Sequence, residues 1–164
     1  MHADLIYEDE TYAIRGAVYE VYKSLGTGYL EEVYQNALEE ELALRHIPFV
    51  AKKALTVRYK GRDCGLYVPD IICFDKIIME LKAVETLHEK HSAQLMNYLK
   101  ATGFNLGLLV NFCAYPKVDI RRRVLKPLAG ECMAADIPQS IYSTAAFSVA
   151  EGVSEHSVVK TSSL

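Results

Sequence analysis

Apolar residues recur at helical spacing from about Thr11 to Leu25, at Tyr12, Ala13, Ala17, Val18, Val21, Tyr22 and Leu25. That periodicity predicts a helix with one buried stripe. Gly26-Thr27-Gly28 ends it, because glycine admits the positive φ of a helix C-terminus. A second helix is predicted from about Tyr29 to Arg45, with Leu30, Val33, Tyr34, Ala37, Leu38, Glu41 and Leu42 along one side, closed by His46-Ile47-Pro48.

From Phe49 to Tyr59 the pattern shifts to alternation, which predicts a strand, and Lys60-Gly61-Arg62-Asp63 reads as a hairpin turn. Two further strands are expected at about Gly65–Cys73 and Ile77–Ala83, joined near Phe74-Asp75-Lys76. A third helix runs from about His88 to Thr102 and stops at Gly103. Asn105–Phe112 is a continuous apolar run, as expected of a strand covered on both faces. Val118 to Leu125 alternates and predicts a last, edge strand. The order predicts an α/β fold: a sheet faced by helices, with the third helix as a crossover.

Length and composition narrow the class. At 164 residues the chain fits one domain with an ordinary core. No apolar stretch approaches a membrane span and no charged-then-apolar leader opens the chain, so a cytoplasmic protein without a membrane partner is expected. Cys64, Cys73, Cys113 and Cys132 form no CxxC pair, so buried free thiols are expected rather than disulfides or zinc. Beyond Lys126 the character changes: residues 126–164 hold seven serines and no sustained period, which predicts a loosely ordered tail with a short helix near Ile141–Ala150. The expected domain is therefore 1–125.

Charge is unevenly spread. Residues 1–41 carry two basic against ten acidic residues, −8, while residues 42–125 carry fourteen against seven, +7. Lys52, Lys53, Arg58, Lys60 and Arg62, then Lys117, Arg121, Arg122 and Arg123, supply the positive part. They read either as edge-strand protection or as a phosphate-facing groove.

The candidate chemistry lies between Pro69 and Lys82. Asp70, Glu80 and Lys82 sit among Ile71, Ile72, Ile77, Ile78 and Met79, where charge is costly unless paired or bound to a metal. Glu80 and Lys82 are two apart on a strand and share a face. Asp70 joins them only if the connecting loop has three residues or a bulge shifts the register. With that geometry Asp70, Glu80 and the Leu81 carbonyl supply oxygen ligands for Mg²⁺ or Mn²⁺, and Lys82 orients water or offsets charge on a phosphate. An ordinary surface cluster of Asp, Glu and Lys gives the same spacing. Glu31, three residues before Tyr34, is expected near the cleft. Gln94 and Tyr98, four apart on the third helix, can fix a phosphate or an ammonium. His88-Glu89-Lys90-His91 is one residue short of a zinc-protease pattern and carries little weight.

Together, Gly28-x-x-Glu31-x-x-Tyr34, Pro69-Asp70, Glu80-Leu81-Lys82 and Gln94-x-x-x-Tyr98 resemble the GxxExxY proteins, a family within the PD-(D/E)XK nuclease-like superfamily. Lys100-Ala101-Thr102-Gly103 and Gly107–Phe112 are similar to the family's strand after the helix. The resemblance covers roughly residues 5–125. It implies a restriction-endonuclease-like core with a central mixed sheet, catalytic positions at Asp70, Glu80 and Lys82, a metal-assisting acid at Glu31, and an accessory pair at Gln94 and Tyr98. The expected function is Mg²⁺-dependent phosphodiester hydrolysis, most readily of DNA. Two rival readings stay open: a catalytically silent nucleic-acid-binding or repair-complex accessory, and a dimerising module. In the latter, Tyr7, Tyr12, Tyr19, Tyr22, Tyr29 and Tyr34 would form a homodimer interface.

Overall fold

The structure is a computed structural model that describes residues 6–126. Two helices come first, α1 (Glu8–Leu25) and α2 (Glu31–Leu44). In α1, Ile14, Ala17, Val18 and Val21 are buried at helical spacing, and Glu8, Asp9 and Glu10 oppose the positive end of the helix dipole. Gly26 ends the helix at φ 69°, its N–H donating to Tyr22 O at 2.8 Å.

Five strands build the main sheet in the order β1-β4-β5-β6-β7, comprising β1 (Phe49–Ala51), β4 (Ile71–Cys73), β5 (Ile77–Lys82), β6 (Leu106–Asn111) and β7 (Asp119–Val124). β2 (Leu55–Tyr59) and β3 (Arg62–Tyr67) form a separate antiparallel ribbon. Helix α3 (Glu89–Thr102) crosses over between β5 and β6, which pair in parallel; the other neighbours are antiparallel. This mixed sheet flanked by helices is consistent with a restriction-endonuclease-like core. The final strand lies at the edge, as its alternation predicts.

The period of two divides the sheet. Ile71, Cys73, Ile77, Met79, Leu81, Leu106, Leu108 and Val110 pack with the buried stripes of α1 and α2. Ile72, Ile78 and Leu109 face the other way and pack with Leu95, Tyr98 and Leu99 of α3. Gly107 is required there: a Cβ on it would lie 2.6 Å from Leu95 Cδ1.

Several details differ from the sequence expectation. The predicted strands 49–59 and 65–73 are each broken in two. Lys52 takes a left-handed backbone at φ 49° and turns the chain out of β1. Pro69 lacks the N–H a ladder needs, so β3 and β4 separate there. The hairpin turn is Lys60-Gly61 alone, φ 50° and 78°, which leaves Arg62 and Asp63 inside β3. Leu30 and Val33 are exposed rather than inward, because α2 begins at Glu31 and turns Tyr34, Gln35 and Leu38 to the core. Cys73 is buried, but Cys64 is exposed on the ribbon and Cys113 is half-buried. Cys132 and the serine-rich tail, apart from Lys126, lie outside the described residues, as does the helix expected near 141–150.

Candidate active site

Register brings the acids together. Ile71 pairs with Met79, Ile72 with Ile78 and Cys73 with Ile77. One step further along the same ladder sets Asp70 level with Glu80. This register needs a three-residue loop, and Phe74-Asp75-Lys76 provides it, with φ 54° at both Phe74 and Asp75 and Lys76 N donating to Cys73 O at 3.1 Å. Asp70, Glu80 and Lys82 thus belong to the sheet face that meets α3.

Asp70 is nearly buried. β4 stops at Ile71, so the N–H of Leu81 has lost its strand partner, and Asp70 Oδ2 accepts it at 2.8 Å. The other oxygen, Oδ1, pairs with Lys52 Nζ, and Lys52 N donates to Asp70 O at 2.9 Å. Leu81 itself is fully buried toward α1 and α2.

Glu80 is only 2% exposed. Its Oε1 accepts from Lys82 Nζ at 2.7 Å, but its Oε2 is buried without a hydrogen-bond partner. Burial, with Asp70 adding a like charge, pushes the Glu80 carboxyl up to about 7, against the pull of Lys82. For Lys82, burial disfavours the ammonium, but the hydrogen bond to Glu80 and the charges of Glu80, Glu31 and Asp70 outweigh it and hold the lysine above its usual value. Lys82 also lies 3.9 Å from Glu31 Oε1.

Glu31 stands at the rim in the first turn of α2, and Tyr34, one turn on, ties the start of that helix to the preceding loop. The Tyr34 hydroxyl donates to Gly26 O at 2.8 Å, and its ring stacks on Phe112 at 4.5 Å between centroids. Tyr34 of the Gly28-x-x-Glu31-x-x-Tyr34 motif thus anchors the loop from which α2 starts, and Glu31 in the first turn of that helix lies near Lys82. The three carboxylates do not gather into a ready-made cage: among the described residues, no group of three His, Cys, Asp or Glu side chains is close enough to hold a metal. Glu31 meets the Asp70–Glu80 pair through Lys82.

On α3, Gln94 Nε2 donates to Tyr98 Oη at 2.9 Å, and that hydroxyl donates to Val68 O at 3.4 Å, beside Pro69-Asp70. Burial raises the Tyr98 hydroxyl's pKa and the charges of Glu80 and Asp70 add to it, while Gln94 opposes them. Gln94 and Tyr98 also line an open cavity of about 320 Å³ with Tyr67, Lys90, Ala93 and Asn97. His91 Nδ1 accepts the N–H of His88 at 3.2 Å and caps α3, and burial, then Lys82, holds its pKa low.

Two parts of the site escape sequence reasoning. Lys52 counts there only as one of a basic run, and no spacing marks it as the partner of Asp70. Asn111 accepts from Val84 N at 3.1 Å and donates to Val84 O at 2.7 Å, fixing the segment just after Lys82. The basic surface also divides. Arg121 pairs with Asp119, Arg122 donates to Ile6 O and Arg123 to Ser92 Oγ, so these three serve packing. Lys53, Lys60 and Arg62, around the ribbon, form no ion pair among the described residues.

A mixed sheet flanked by helices, with Asp70 just before β4 and Glu80 and Lys82 on β5 facing α3, is the arrangement expected of a nuclease-like α/β domain. The model for the PD-(D/E)XK nuclease superfamily matches residues 8–123, and the chain belongs to that superfamily. No curated protein matches the chain, and no solved structure does.

Proposed function

We propose that the protein is a Mg²⁺- or Mn²⁺-dependent nuclease that hydrolyses phosphodiester bonds in DNA. The observation that carries this reading is the buried, unpartnered Glu80 Oε2 beside Asp70. Such an orphan is costly in a core and is relieved by a cation. The donor set is all oxygen, which suits a hard divalent ion rather than zinc. Asp70 and Glu80 would hold the ion, with the Leu81 carbonyl and Glu31 as further donors. When bound, it polarises the phosphate and lowers the pKa of a water.

The chain's own residues do the rest. Lys82 keeps its proton, orients the attacking water and offsets charge as phosphorus gains a fifth oxygen. The water gives up one proton to solvent as its oxygen joins phosphorus, one P–O ester bond breaks, and the departing oxygen takes up a proton from solvent in its place. Gln94 and Tyr98 position the phosphate from α3. Lys53, Lys60 and Arg62 on the ribbon follow the strand's backbone, which gives salt-sensitive binding with little sequence preference. The anchoring of the α1–α2 loop by Tyr34 and the nearness of Glu31 to Lys82 support assignment to the GxxExxY group, and the match over 8–123 supports one nuclease-like domain at 1–125.

The test is cleavage of plasmid and single-stranded DNA with Mg²⁺ or Mn²⁺, by wild type and Glu80→Ala. Wild type should cut, and the variant should lose at least about 100-fold in rate. Equal cleavage by both refutes the site. Salt-sensitive DNA retention with no metal-dependent product assigns the silent accessory role instead.

A further inference from the structure

Lys52 is held to Asp70 twice. Its backbone N–H donates to Asp70 O at 2.9 Å, and its ammonium returns to Oδ1 of the same residue. The left-handed φ of 49° makes this return possible, in a conformation that lysine seldom adopts. The two ends of the pair differ in exposure: the Asp70 side chain is 8% exposed and that of Lys52 52%. Asp70 has little water to lean on, so a nearby cation must compensate its charge. Lys52 could leave for solvent at small cost, since ion pairs that reach the surface are weak.

Charge decides which cation would leave. Asp70, Glu80 and Glu31 face two ammonium groups, Lys52 and Lys82. A divalent cation entering this set leaves one positive charge in excess. Lys82 is hemmed between Glu80 and Glu31 and only 12% exposed. Lys52 alone has an open way out.

We propose that Lys52 is a built-in counter-cation for Asp70 that yields its place to a divalent cation, so that metal loading and release of this lysine are one exchange. The proposal rests on reading Asp70 and Glu80 as the metal-binding pair. Before loading, Lys52 keeps Asp70 compensated and in register with Glu80. After loading, its freed ammonium stands at the mouth of the site, at the root of the basic ribbon, where a substrate phosphate is its natural partner.

The experiment titrates Mn²⁺ alone calorimetrically into the full chain as wild type, Lys52→Met, Lys52→Gly and Asp70→Asn, and follows thermal unfolding of each with and without Mn²⁺. Methionine keeps the aliphatic stem, and glycine suits the left-handed backbone. Both Lys52 variants should bind Mn²⁺ about tenfold more tightly than wild type, the scale of one like charge removed beside the site and discounted for exposure. Metal-free Lys52→Met should melt about 2–4 °C lower than wild type, and Mn²⁺ should abolish that deficit. Saturable binding in wild type that Asp70→Asn loses, with affinity equal or weaker in both Lys52 variants, overturns the exchange while leaving the metal reading intact. A melting deficit that persists with Mn²⁺ makes Lys52 a structural residue and overturns it too. No binding by any of the four proteins overturns both readings together.

Discussion

The two faces of β5 differ in what they are built for. Ile77, Met79 and Leu81 look toward α1 and α2 into an all-apolar layer. Ile78, Glu80 and Lys82 look toward α3, and after Ile78 that face gives up packing for charge. One strand of six residues thus carries apolar packing on one side and a buried Glu–Lys pair, the proposed site of chemistry, on the other. The difference shows where buried charge is tolerated: the raised Glu80 carboxyl, with its unpartnered Oε2, lies on the α3 side, whereas the other unpartnered buried oxygen among the described residues, Thr11 Oγ1 on α1, carries no charge.

The comparison breaks most visibly at Glu80. Glu80→Gln should remove at least about 100-fold of metal-dependent cleavage while the protein stays folded, read by gel assay and circular dichroism. Met79→Ala, one residue away on the opposite face, should do the reverse. It should cost about 2–5 kcal/mol in denaturant unfolding, the usual toll of emptying a buried site. If cleavage per folded molecule fell equally in both variants, the two faces would not divide the labour.

A pH profile sharpens the contrast. The folded Glu80 carboxyl titrates near 7, above its ordinary value of 4.5, so the folded state holds a proton that the unfolded chain has released. Metal-free stability should therefore be greatest at low pH for this group and decline as pH rises from about 4.5 to 7, by at most about 3 kcal/mol. Glu80→Gln should flatten that decline, and saturating Mn²⁺ should offset it. An unchanged slope in the variant removes Glu80 as its source.

Gly107→Ala tests the join between the faces and α3. The added methyl meets the Leu95 side chain, which must repack at about 1–3 kcal/mol in unfolding, with weakened cleavage where that repacking moves α3 and its Gln94 and Tyr98. The smallest effect expected is that of Tyr34→Phe. It removes the hydroxyl bond to Gly26 O and should cost about 0.5–1.5 kcal/mol, seen as a modest drop in melting temperature.

Periodicity alone makes much of this fold legible. The helical stripes of α1 and α3, the apolar run of β6 and the alternation of β7 follow from local spacing, and each appears within a few residues of its predicted bounds. The site is legible conditionally: Asp70 meets Glu80 only through a three-residue loop or a bulge, and of these two Phe74-Asp75-Lys76 supplies the loop. The rest depends on contacts between distant residues. Nothing near Lys52 marks it for Asp70, eighteen residues on. Arg121, Arg122 and Arg123 read as open charge until Asp119, Ile6 and Ser92 are seen beside them. The breaks at Lys52 and Pro69 likewise follow from a ribbon that leaves the main sheet to lay Leu55 and Tyr67 against α3.

The proposed function depends on a divalent cation held between Asp70 and Glu80 on the sheet face that meets α3. Calorimetric titration of Mn²⁺ into wild type and Glu80→Gln tests it most directly. Saturable heat is expected in wild type, with its loss, or at least about a tenfold weaker affinity, in the variant. Matching isotherms for the two proteins, or no heat from wild type, would contradict it.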